Sequence, residues 1–87
     1  MLKIQILSPE KNIFEGTVNS IKLPGTNGEF HVFELHADLI STLTKGEIKI
    51  EHAENIPHFL LKDHFYHLPV TGGVVEIKEN TLVILID

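Results

Sequence analysis

Residues 23–46, LPGTNGEFHVFELHADLISTLTKG, decide the fold. The stretch opens on Pro24-Gly25, passes through Asn27-Gly28 and closes on Lys45-Gly46. These pairs are turn chemistry: proline fixes φ, while glycine and asparagine accept positive φ. Between them, Glu29–Phe33 is rich in aromatic and β-branched residues and reads as a strand. Asp38–Leu43 is ambiguous, because Leu39, Ile40 and Leu43 have helical spacing. It is too short to nucleate a helix alone, and its Ser and Thr content favours a strand.

The same alternation runs outward in both directions. Leu2, Ile4 and Ile6 alternate with Lys3 and Gln5, the period of a half-buried strand. Ser8–Asn12 breaks the chain, and Ile13-Phe14-Glu15 resumes it. Apolar residues then fall on both parities from Val18 to Leu23, which predicts a bulge or an edge near Gly16. Ile48 and Ile50 alternate with charged residues, and His52–Asn55 reads as a turn. Phe59–Leu61 and Phe65–Val70 read as strands around a Lys62-Asp63 turn. Thr71-Gly72-Gly73 bends the chain, Val74–Ile77 resumes it, and Glu79-Asn80 makes the last turn. Leu82–Ile86 is an unbroken apolar run, the pattern of a strand buried on both faces. Roughly ten short strands with regular turn signals predict an all-β sandwich or barrel, with no long helix.

A chain of 87 residues fits one domain, 1–87. There is no cysteine, hence no disulfide and no thiolate chemistry. Seven basic residues against 12 acidic give −5, and no two basic residues are adjacent. That excludes the clustered cationic surface that nucleic acids and anionic membranes require. Protonating all six histidines would carry the net charge to +1, so the field is sensitive to mild acid. No apolar run approaches the ~20 residues of a membrane span, and Met1–Leu7 lacks the apolar core of a signal peptide.

No chemical motif stands out. His64 and His67 are three apart, so on a strand they face opposite ways, and no H-x-H pair exists. His31 and His36 are five apart, with the same geometry. Ser8, Ser20 and Ser41 lack a nucleophile-elbow context, and His36 and Asp38 read as a surface pair. Gly25–Gly28 lacks the Gly-Lys-Ser/Thr ending of a phosphate loop, and Thr71-Gly72-Gly73 has no helix after it. No catalytic residue, metal site or cofactor is expected. The remaining default is an interaction protein, because a thin sandwich with this apolar content leaves some of it at the surface. The alternative is a stand-alone histidine-rich β-sandwich that binds a metal or another ligand.

Four stretches, in order, resemble the epsilon subunit of F-type ATP synthase in its N-terminal β domain. Ser8-Pro9-Glu10 with Phe14-Glu15-Gly16 resembles the family's S/T-P-E…F-x-G opening. Leu23-Pro24-Gly25, Gly28-Glu29-Phe30 and Val32 resemble its L-P-G-x-x-G-E-F-x-V motif. His36-Ala37 with Leu39, Leu43, Gly46 and Ile48 resembles H-A-P-L-L…L…G-x-I. Val70, Gly72-Gly73, Glu76, Asn80, Val83, Leu85 and Asp87 resemble V-S-G-G…E-V…N…V-x-V-L-A-D. The chain departs from the family where His31 replaces a common Gly, where Glu34-Leu35 replaces Pro followed by Gly or Asn, and where Asp38 replaces a frequent Pro. The segment between Ile50 and Val70 is also longer than in many members.

The resemblance implies a flattened sandwich of two sheets with about ten strands, in a form without the family's C-terminal inhibitory helical hairpin. It implies a non-catalytic rotor subunit in the central stalk of a proton-translocating ATP synthase. There it would link the gamma subunit to the c-ring and couple rotation to ATP synthesis. Carried over by position, Thr26, Asn27, Gly28 and Glu29 would face the c-ring, with Glu29 offering a carboxylate. Ser8, His36 and Ser41 would face gamma. The implied location is the bacterial cytoplasm, peripheral on the inner membrane through the complex, without insertion.

Overall fold

The N-terminal alternation is carried by strand β1 (Leu2–Leu7), whose Leu2, Ile4 and Ile6 are fully buried. The computed structural model describes residues 1–52 and 54–87. Nine further strands follow: β2 (Asn12–Val18), β3 (Ser20–Gly25), β4 (Gly28–Val32), β5 (Leu39–Leu43), β6 (Gly46–Glu51), β7 (Leu60–Lys62), β8 (Phe65–Val70), β9 (Gly73–Lys78) and β10 (Thr81–Ile86). The ambiguous segment is therefore a strand, beginning at Leu39.

Hydrogen bonding links all ten strands into one curled sheet, in the order β2-β1-β10-β9-β5-β3-β6-β8-β7 with β4 on β3. Laid flat, nine strands side by side would span roughly 40 Å. The molecule measures 28 × 27 × 24 Å, so the sheet must fold over on itself. The two expected sheets are thus two leaves of one sheet. The first leaf is β2-β1-β10-β9-β5, and the second is β4-β3-β6-β8-β7. Leu2, Ile4, Ile6, Val75, Ile77, Leu82 and Ile84 of the first leaf meet Ile21, Leu23, Val32, Ile48, Ile50 and Tyr66 of the second in one core. Strand β3 joins the leaves. One of its edges pairs with β4 along Ile21–Gly25. The other edge is shared between β6, at Ser20–Lys22, and a single β5 pair, Gly25↔Leu43. Pairing is antiparallel throughout except between β1 and β10, the first and last strands, which run parallel.

Several local readings are corrected. The bulge lies at Ile13 and not near Gly16, since Ile6 pairs with Phe14 and Leu7 with Asn12. Gly16 sits in regular register opposite Ile4, and a Cβ there would press on the Phe14 ring at 3.2 Å. The edge reading holds, because β2 ends the sheet. The mixed parity from Val18 to Leu23 arises because Asn19 separates two strands in different leaves. Phe59 is not in a strand; it packs against Phe14, ring centroids 6.0 Å apart. Leu82–Ile86 is buried on one face only, with Leu85 48% exposed. The turn expected at His52–Asn55 includes residue 53, which lies outside the described residues. Around it, the Glu54 N–H donates to His52 Nδ1 at 2.9 Å.

Two hairpins close on paired positive φ without glycine: Asp63-His64 (52° and 71°) and Glu79-Asn80 (51° and 61°). This is the mirror-image turn that matches strand twist, and asparagine and aspartate enter it most readily.

Candidate functional site

The β3–β4 hairpin builds the first candidate surface. Gly25 and Gly28 pair across its base, with Thr26 and Asn27 at the exposed tip. Gly28 takes φ of 125°, and a Cβ on Gly25 would lie 2.8 Å from both the Gly28 carbonyl and the Phe30 ring. Only glycine fits these two corners. Thr26 ties the tip to β5: its N–H donates to the Thr42 carbonyl at 3.1 Å, and the two threonine hydroxyls lie 2.7 Å apart. Glu29 does not stand as a free carboxylate. Its Oε2 accepts from Lys49 Nζ at 3.0 Å, and both groups are partly exposed. Such a pair is worth ~0–1 kcal/mol, so an incoming cation displaces Lys49 at small cost.

Ser8, His36 and Ser41 are strung along the first leaf and do not cluster. Register runs Leu7–Leu85–Val74–Thr42 across one row and Ile4–Leu82–Ile77–Leu39 across another. Ser8 lies beyond the first row, His36 beyond the second, and Ser41 between them. Each makes a local bond. Ser8 Oγ donates to the Lys11 carbonyl at 3.3 Å, and Ser41 Oγ donates to the Thr42 carbonyl at 3.2 Å. His36 Nδ1 lies 2.8 Å from the Ala37 carbonyl, so it carries the hydrogen. His36 and Asp38 do not pair. Asp38 Oδ1 instead accepts from the Glu79 N–H at 3.1 Å.

The outer face of this same leaf carries residues that sequence reasoning missed. Ile40 is 73% exposed, and Leu85 stands out of β10 beside half-buried Leu7 and Val74. Val83 lies in the next row, between Gln5 and Glu76, with Ile40 across from Glu76. The signal was present in the unbroken apolar run of β10. Its second face is apolar, but nothing in the described chain covers it.

The outer face of the second leaf mixes bonded polar groups with apolar side chains such as Phe33 and Leu60, both exposed. Ser20, the one buried polar residue among those described, donates to Glu51 Oε1 at 2.8 Å. His31 Nε2 lies 2.8 Å from the same hydroxyl. The serine hydrogen is already committed to Glu51, so His31 donates through Nε2–H and its Nδ1 is the site left to protonate. Phe33 lies against the His31 ring, centroids 4.0 Å apart, and Lys22 Nζ sits 4.6 Å over the Phe65 ring. Burial holds the His31 pKa below its ordinary value, assisted by Lys22 and opposed by Glu51 and Glu29. His67 contacts Glu47 Oε1 at 3.2 Å and the Lys62 carbonyl at 3.0 Å. Among the described residues no three His, Asp or Glu side chains are grouped to hold a metal ion. Among the described residues no helix is long and apolar enough to cross a membrane.

Comparison with known proteins gives this geometry a context. The family described as ATP synthase, Delta/Epsilon chain, beta-sandwich domain matches residues 1–87. A curated relative, the ATP synthase epsilon chain of Leptospira interrogans serovar Copenhageni, is 38% identical over 86 residues, covering 99% of this chain and 61% of its own length. The chain thus spans about three-fifths of the length of the first curated relatives it matches. A solved chain from the central stalk and c-ring of Tetrahymena thermophila mitochondrial ATP synthase superposes with a TM-score of 0.77 at 18% identity, over 98% of this chain and 62% of that one. A chain of Euglena gracilis mitochondrial ATP synthase gives 0.81 at 15% identity, over 98% and 49%. At those identities the structures show the shared fold alone. The match over the whole chain places this protein in the ATP synthase delta/epsilon-chain β-sandwich family.

Proposed function

We propose that this chain works as an epsilon-type rotor subunit in the central stalk of a proton-translocating ATP synthase, without a catalytic site of its own. The outer face of the first leaf docks on the gamma subunit, with Ile40 and Leu85 as apolar contacts and Ser8 and His36 at its ends; Ser41, opposite buried Val75, lies on the other face of β5 from Ile40. The hairpin tip Thr26–Glu29 meets polar loops of the c-ring, where Glu29 exchanges Lys49 for a cationic or amide donor. Two leaves sharing one packed core form a stiff body that passes rotation between the two partners. The working location is the bacterial cytoplasm, at the inner membrane through the complex.

The observation that carries this reading is the set of uncovered apolar side chains on the outer face of the first leaf, Leu7, Val83, Leu85, Val74 and Ile40, interrupted by Gln5 and Glu76. An apolar patch of this kind marks a protein interface. The test is co-purification with the gamma subunit of the same source, comparing wild type, His36→Ala and Ile40→Asp. A stoichiometric wild-type complex, weakened by Ile40→Asp, supports the reading. Failure of folded wild type to bind folded gamma would sink it.

A further inference from the structure

Ile13, the extra residue of the β2 bulge, leaves the regular ladder, because Ile6 pairs with Phe14 and Leu7 with Asn12. Bulges re-aim side chains, and Ile13 lines a cavity of about 330 Å³. Leu68 of β8 and Phe59 line it too, and all three pack half-buried against the common core. The cavity is thus the mouth of the seam where the edge of the first leaf meets the second. Its size falls at the lower end of small-molecule sites.

Lys11 and His58, both exposed, also line this mouth, and among the described residues no carboxylate side chain does. The chain as a whole has 12 acidic residues against seven basic ones, so the local sign is reversed. Such a mouth favours an anion.

His58 stands in a strained position. Residues 56–59 form a tight turn, in which the Phe59 N–H donates to the Ile56 carbonyl at 3.4 Å. Pro57 takes its second position and His58 its third, with φ 71°. That third position calls for glycine or asparagine, and the turn itself has no use for an imidazole. Buried Ile56 and the packing of Phe59 on Phe14 fix the turn to the body. Strain held in place by its surroundings points to a group kept for binding.

We propose that this mouth binds a free medium-chain carboxylate. The alkyl tail lies over Ile13, Phe59 and Leu68, which remove it from water. The carboxylate sits between the Lys11 ammonium and the His58 ring, which hold it by charge-assisted hydrogen bonds. A neutral alkyl ligand would forfeit the basic pair, and a small inorganic anion would forfeit the apolar floor. The site shares no residue with the surfaces assigned to gamma and the c-ring, so it stands apart from that reading.

The probe is octanoate, titrated into the whole chain and followed by backbone-amide nuclear magnetic resonance, with octan-1-ol and acetate as controls. Wild type should saturate at one equivalent with a Kd of about 1 mM or below, and the shifts should centre on Asn12, Ile13, His58 and Phe59. Lys11→Gln and His58→Asn should each weaken octanoate binding about fivefold, the effect of losing a partly exposed ion pair. Octan-1-ol should bind about fivefold more weakly than octanoate, and acetate weaker still. Asparagine suits a left-handed backbone, so His58→Asn should melt no lower than wild type. A lower melting temperature would make the ring structural and overturn its role. Absence of saturation by about 10 mM overturns the site. So does unchanged affinity in either variant, equal affinity for octan-1-ol, or shifts centred elsewhere.

Discussion

Replacing Ser20 by alanine removes a hydroxyl that is fully buried and bonded on both sides. One bond is neutral, from His31 Nε2–H, and one is charge-assisted, to Glu51. Net values of about 0.5–1.5 and 1.5–3 kcal/mol set a ceiling of about 4.5 kcal/mol. His31 and Glu51 are only partly buried, so water reaches the groups left behind, and we expect a loss of about 1.5–2.5 kcal/mol. An 87-residue domain holds roughly 4–13 kcal/mol in all. The loss is therefore a large fraction, equivalent to about 8–15 °C in melting temperature. Urea titration at pH 7.5, followed by far-ultraviolet circular dichroism, gives the value directly. A parallel titration of Glu51→Gln and the double variant closes a cycle, and the two losses should be clearly non-additive. A loss below about 0.5 kcal/mol, typical of a plain surface change, would refute the claim that this network holds β3 to β4 and β6.

Other outcomes follow from single features. The folded-state pKa of His31 lies below its unfolded value, so the unfolded chain binds the extra proton first. Stability should be fully present above about pH 6.5 and fall as pH drops below it. His31→Gln should flatten that slope in melting curves taken from pH 7.5 to 5. Gly73→Ala would drive a Cβ into the Leu85 backbone carbonyl on the neighbouring strand, where nothing flexible can yield. The expected loss is about 1–3 kcal/mol by urea denaturation. Glu79→Asn keeps the N–H that reaches Asp38 and eases a left-handed residue, so a gain of about 0.5–1 kcal/mol should appear as a higher melting temperature.

The strands were legible because alternation is local. Leu2-x-Ile4-x-Ile6 and Ile48-x-Ile50 carry their own burial pattern, and Glu79-Asn80 and Asn27-Gly28 carry their own turns. What the sequence could not resolve depended on partners distant along the chain. The bulge at Ile13 is a matter of register against β1, which no window of β2 contains. Ser20 looks like a solvent-facing strand residue until β4 and β6 bring His31 and Glu51 to it. The carboxylate of Glu29 was legible as exposed, but its partner Lys49 lies 20 positions on. Leu82–Ile86 misled for a different reason. Its uniform apolar pattern predicts two buried faces, yet the fold covers only the Leu82 and Ile84 side and leaves Leu85 exposed. Leu35 was visible as a departure from a motif, but its left-handed backbone was not.

The parallel pairing of β1 with β10 sets the order of events during synthesis. β1 emerges shortly before β2 and finds it within a few residues, yet its other edge belongs to β10, at the far end of this domain. Until that strand leaves the ribosome, the backbone groups along one side of Lys3–Leu7 have no partner in the chain. Closure of the first leaf must wait for β10, so this small domain carries the slow folding of a non-local topology. For that interval the nascent chain presents an open strand edge next to Ile4 and Ile6, the kind of surface that attracts other chains and that chaperones shield.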